Sequence, residues 1–153
     1  MKSRELLKKL DVGEADETQL LLAEDTGLET DILNTVMTGF GSLTNVAEGE
    51  YYFLGEERPE AFTCRITVVP DVKPENEALL CLELAGEDYD IPAGCFAYDE
   101  EEKAVVYYLS VPLPEGLTEK EIIKEADLVI RLSLRLSMTY AAGYEAIAKR
   151  EII

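Results

Sequence analysis

The chain has 153 residues, of which 47 % are apolar and 30 % charged, with a net charge of −18 and no histidine. That length and apolar content fit one folded domain over 1–153 with a core of its own, and argue against intrinsic disorder. The acidic excess repels phosphate backbones and anionic lipid, so neither nucleic acid nor a membrane is an expected partner, and the missing histidine removes the commonest general base and soft-metal ligand.

Residues 2–10 read as a short amphipathic helix with Leu6, Leu7 and Leu10 on one side. The start, MKSRELLKKLD, is charged throughout, so no secretory leader is expected, and no stretch is long and apolar enough for a transmembrane helix. The rest of the poorly assigned segment 1–30 is acidic, and Gln19–Ala23 suits strand or helix. In Asp31–Phe40 the placing of Ile32, Val36 and Met37 would suit a helix, but the Thr/Val content favours a strand. Gly39 and Gly41 then mark a turn.

Glu50–Leu54 is aromatic and strand-like. After a loop broken by Pro59, Phe62, Cys64, Ile66 and Val68 alternate with Thr63, Arg65 and Thr67, the clearest strand pattern in the chain. Together, 50–69 predict a hairpin with one buried and one wet face. Pro74, Glu75 and Glu77 suit the first turn of a helix over 75–86 closed by Gly86. Its apolar run ALLCLELA leaves a buried strand as the competing reading.

Ala93–Tyr98 and Ala104–Val111 form a second expected hairpin around the charged turn DEEEK. Val105, Tyr107 and Leu109 would face one way, and Val106, Tyr108 and Ser110 the other. Thr118 and Glu121 have capping-box spacing. Beyond them, Ile130 to Tyr140 alternate strictly between apolar and polar, as in a strand. The flanks are good helix formers, no breaker precedes Gly143, and Lys124, Arg131, Arg135 and Lys149 fall on one helical stripe. One long helix over 118–149 is therefore expected. The alternation would leave it apolar around most of its circumference, and such a helix needs burial on more than one side. A second copy of the chain would supply it.

Cys64, Cys81 and Cys95 are odd in number, lack C-x-x-C spacing and sit among apolar residues; buried, reduced thiols of a cytoplasmic protein are expected. The acidic groups Glu56/Glu57, Glu87/Asp88/Asp90 and Asp99–Glu102 match no calcium loop and read as solvated turns. Gly39-Phe40-Gly41 lacks the third glycine of a dinucleotide turn, and Ser110, Ser133 and Ser137 have no base. No catalytic, cofactor-binding or metal-ligating residue is expected. Tyrosines recur in pairs (Tyr51/Tyr52, Tyr107/Tyr108, Tyr140/Tyr144), and tyrosine suits interfaces because it joins a large contact area to a polar tip.

The stretch IPAGCFAYDEEEKAVVYYLSVPLPEGLTEKEI, positions 91–122, resembles the type III secretion chaperone-like fold, especially its YbjN-type branch of bacterial sensory-transduction regulators. The shared pattern is a Gly-aromatic strand, an acidic turn, an aromatic strand, a proline exit and a capped last helix. The resemblance covers about three quarters of the chain, from residue 31 onward. It implies an α+β fold of about five antiparallel strands with helices packed on them, in the order α-βββ-α-ββ-α. It also implies a homodimer that binds another protein. The expected function is a non-enzymatic, chaperone-like or regulatory interaction module, with a contact surface at Tyr107, Leu128, Leu132, Leu136 and Tyr140. The alternative is a carboxylate- or metal-dependent hydrolase whose acids converge only in three dimensions.

Overall fold

A computed structural model describes residues 3–13, 15–38 and 46–150. The helix α1 (Ser3–Leu7) precedes β1 (Glu17–Leu21), the single turn α2 (Ala23–Thr26), β2 (Ile32–Thr38), β3 (Val46–Leu54) and β4 (Ala61–Val69). A 3-10 turn, Pro74–Asn76, leads into α3 (Glu77–Glu87), followed by β5 (Cys95–Asp99), β6 (Ala104–Pro112) and α4 (Glu119–Ala148). This is the expected α+β class, with one strand more than the expected five. The six strands form one antiparallel sheet in the order β1-β2-β3-β4-β6-β5. The extra strand, β1, comes from the segment that sequence could not assign. It sits at the sheet edge with its side chains mostly in solvent, so it carries no alternation to read.

The chain runs as a meander from β1 to β4, crosses through α3 and returns as the β5–β6 hairpin, with β6 docked beside β4. The helix reading of 75–86 therefore prevails over the buried strand. Gly86 does not close α3, which continues to Glu87 with Asp88 still right-handed. The expected turn at Gly39–Gly41 lies outside the described residues.

Inward side chains of the sheet make two adjoining cores. One joins Leu6 and Leu7 of α1 to Tyr51, Phe53, Phe62, Cys64, Ile122 and Ile130. The other joins Ile66, Val68, Phe96, Tyr107 and Tyr144 to Leu80 and Leu84 of α3. Phe53 and Phe62 face each other across β3 and β4 with ring centroids 4.9 Å apart, and Phe96 lies 5.0–5.1 Å from the rings of Tyr107 and Tyr144. Burying each such ring contributes about 1.5–3 kcal/mol. Two glycines make room for core tyrosines. A Cβ on Gly49 would stand 2.5 Å from the Tyr51 hydroxyl, and one on Gly94, at φ +70°, would stand 2.7 Å from that of Tyr107.

α4 is one unbroken 30-residue helix, opened by the expected capping box between Thr118 and Glu121. Its alternating stretch follows neither polarity nor period two. Ser133 and Ser137 point inward and are fully buried, whereas Leu132 and Met138 point outward with 38 % and 55 % exposure. The reason is volume. Ala126, Ser133, Ser137, Ala141 and Ala148 are all buried, and these short side chains let the helix axis lie close over β4. Residues with larger side chains on that line would hold the layers apart.

Candidate interaction surfaces

The outward face of α4 is built from residues three and four apart: Lys124, Leu128, Arg131, Leu132, Arg135 and Thr139, all exposed. Leu128 and Leu132 show 46 % and 38 % of their surface. Beside them a shallow depression of about 520 Å³ is lined by Arg131, Leu134, Arg135, Met138 and Thr139. Among the described residues Arg131 reaches only the Asp127 carbonyl, at 3.4 Å, and neither it nor Lys124 or Arg135 forms an ion pair. Three cations unengaged by carboxylates, interleaved with three exposed apolar side chains, are out of keeping with the rest of a chain whose charge is −18.

The residues expected at this surface divide. Leu128 and Leu132 lie on it. Tyr107 and Leu136 do not: Tyr107 is fully buried, and Leu136 retains 8 % exposure in the same core. The Tyr107 hydroxyl donates to the Ala93 carbonyl at 2.9 Å, which satisfies its polar tip internally, and burial pushes its pKa up to about 12. Tyr140 is half-buried, its ring 5.5 Å from Phe96. Met138 was not among the expected contact residues. Helical spacing from Arg131 and Arg135 places it outside.

Adjacent tyrosines on a strand must point to opposite faces. Hence Tyr51 and Tyr107 enter the core, while Tyr52 and Tyr108 stand on the other face of the sheet. That face carries none of the core clusters. At its centre Arg65 of β4 reaches Asp99 at 2.8 Å, Glu50 at 3.1 Å and Glu102 at 3.3 Å. Asp99 and Glu102 therefore converge on a cation, rather than pointing apart into water as the charged-turn reading required. The Asp99 carboxyl lies below its ordinary pKa, chiefly because the Glu102 and Glu101 amides donate to it, and Arg65 adds to the effect. Thr63, expected on the wet side, is fully buried there and hydrogen-bonds Ser110 at 2.9 Å.

Asp88 accepts the Phe96 amide at 2.8 Å, anchoring the β5 edge, while Glu56 and Glu57 are exposed. A cleft of about 750 Å³ between α1 and the β3–β4 loop contains Arg4, held by Asp31 at 2.9 Å and by Glu24 at 2.6 Å. Among the described residues no group of three or more Cys, Asp or Glu is placed to hold a metal ion, and no helix is long and apolar enough to cross a membrane. All three cysteines are free, but only Cys64 is buried as expected; Cys95 is half-buried and Cys81, on the outer side of α3, is exposed.

No protein-family model matches the chain, and no curated protein matches it either. The surface itself therefore carries the functional argument.

Proposed function

We propose that the chain is a non-enzymatic protein-interaction module, chaperone-like or regulatory, that acts as a homodimer in the cytoplasm and contacts its partners through the outward face of α4. The observation that carries this reading is the exposure of Leu128, Leu132 and Met138 among cations that form no ion pair among the described residues, in a chain with 32 acidic and 14 basic residues. Exposed apolar side chains grouped on one face mark contact sites, whereas single ones are ordinary. Antiparallel pairing of two copies would bring Glu125 from the N-terminal half of the face toward Arg131 and Arg135 of the other copy, adding charge complementarity to apolar contact. The resemblance of residues 91–122 to the YbjN-type branch of the type III secretion chaperone-like fold points the same way.

The test is sedimentation equilibrium of the wild type and Leu132→Asp, with circular dichroism to verify folding. A dimeric wild type and a folded, monomeric variant support the reading. A wild type that stays monomeric at high concentration, with the variant unchanged, excludes it.

A further inference from the structure

Among the described residues, helices pack on one face of the sheet only. Following register from strand to strand, the uncovered face presents Ile32, Tyr52, Thr63 and Ser110 in one row and Asn34, Glu50, Arg65 and Tyr108 in the next. A further row holds Glu17, Val36, Glu48, Thr67 and Val106. Ile32 and Val106 are each only 7 % exposed yet belong to neither core cluster. Tyr108 stands out from them at 39 % exposure. Tyr52, Tyr108, Val36 and Val106 thus make an apolar and aromatic strip among polar side chains, and no helix of the described residues belongs to this face.

Its charge is one-sided. Arg65 is the only cation in any of the six strands. Around it and along the third row stand Glu17, Glu48, Glu50, Asp99 and Glu102. Five carboxylates against one guanidinium leave a surplus of four negative charges around the aromatic centre. A covering layer must therefore bring cations at its margins and apolar side chains at its middle. It must also arrive with its backbone already hydrogen-bonded, because the strands under it have spent their amides and carbonyls on each other within the sheet. A helix meets both conditions, as α4 does on the opposite face.

We propose that the uncovered face of the sheet docks a cationic amphipathic helix of a partner protein, its apolar stripe on Tyr52, Tyr108 and Val106 and its Lys/Arg flanks on Glu48, Glu50 and Asp99. This surface is independent of the α4 face, on the opposite side of the sheet.

The probe is a labelled 18-residue Leu/Lys peptide designed as an amphipathic helix, compared with a scrambled peptide of the same composition and with a Leu/Glu helix. Binding is read by fluorescence anisotropy at near-physiological salt, and the site by amide chemical-shift changes in the full chain. The expected result is at least tenfold tighter binding of the Leu/Lys helix than of either control, with shifts centred on β3, β4 and β6. Tyr108→Ala should weaken binding about tenfold. Glu48→Lys, an exposed position that cannot disturb the core, should do the same, and Leu132→Asp on α4 should leave it unchanged. Equal binding of the scrambled peptide would mean charge attraction without a site and would overturn the proposal. So would shifts centred on α4, or indifference to Tyr108→Ala and Glu48→Lys. Self-association of the Leu132→Asp chain that Tyr108→Ala abolishes would reassign the face to a second copy.

Discussion

The side-chain amide of Asn76 donates to the carbonyl oxygen of Ala148 at 3.0 Å, tying the turn before α3 to the last residue of α4. The same nitrogen reaches the Arg150 carbonyl at 2.8 Å, and Asn76 is 2 % exposed. The last carbonyls of a helix have no partner within it. Asn76 supplies one from a segment 72 residues away. Asn76→Ala is expected to lower stability by about 1–2 kcal/mol, because it removes two hydrogen bonds at the helix end and leaves the Ala148 carbonyl only the Lys73 amide at 3.2 Å. Asn76→Asp should cost at least as much, since a carboxylate cannot donate. Urea unfolding followed by circular dichroism measures both, and a change below about 0.5 kcal/mol for Asn76→Ala would show that water replaces the amide.

Ser137 leads to the opposite expectation. Its hydroxyl is buried and has no hydrogen-bond partner among the described residues. Ser137→Ala removes that unpaired group and improves helix propensity by about 0.5 kcal/mol, so the variant should be more stable than the wild type. Ser133→Ala should be more stable for the same reason, because the Ser133 hydroxyl is likewise buried without a hydrogen-bond partner among the described residues. Ser137→Leu should be destabilising by about 1–3 kcal/mol by pushing α4 off β4. Thermal melts of the three variants rank them.

The three thiols should separate by reactivity. Burial pushes the Cys64 thiol up to about 12, and its side chain has no solvent-exposed surface. With a coloured disulfide reagent at neutral pH, Cys81 should react first, and half-buried Cys95, whose pKa burial also raises, more slowly. Cys64 should react only as the chain unfolds. Cys81→Ser should remove the fast phase alone; loss of the slow phase instead would contradict the placement of α3.

Asp31 links the segment before β2 to α1. Arg4, which donates to it at 2.9 Å, holds its carboxyl below the ordinary value of 3.8, and the Ala23 amide adds to this. A carboxylate whose pKa is depressed on folding contributes stability that is present above its unfolded pKa and lost as pH falls through the lower folded one. Asp31→Asn should therefore lower the urea midpoint at pH 6, and its difference from the wild type should shrink as pH drops below 3.8 toward 2. A gap independent of pH would mean that the side chain acts through its shape and not its charge.

Legibility in the sequence followed how many physical demands met on a residue. In β4, alternation and β-branching agree, and the strand was readable to within a residue. In α4 the capping residues and strong helix-forming flanks outvoted a strand-like pattern, and the helix lies within one residue of its expected limits at each end. The inward and outward sides of that helix were not readable from polarity. Ser133 and Ser137 face the sheet because they are short, a demand set by the distance between layers. β1 was illegible for a different reason: an edge strand wet on most of its surface has no hydrophobic period to show. For the tyrosine pairs the signal was present. Period two separates Tyr107 from Tyr108, and the register with Cys64 and Ile66 of β4, which only the fold supplies, decides that Tyr107 is the one in the core.

The position of β4 between β3 and β6 also matters for a chain still being made. Its first edge is paired by the meander as soon as β3 and β4 have left the ribosome. Its second edge waits until Ala104–Pro112 has been synthesised, roughly a few seconds later at ordinary translation speeds. Throughout that interval a nine-residue strand carrying Phe62, Cys64, Ile66 and Val68 offers bare amides and carbonyls to any neighbouring nascent chain. Arg65 sits in the middle of that edge, a positive charge that two stacked copies would have to bring together. Before Asp99 and Glu102 have been made, Arg65 has only Glu50 of β3 to hold, and a charged pair at a bare edge disfavours joining another half-made sheet.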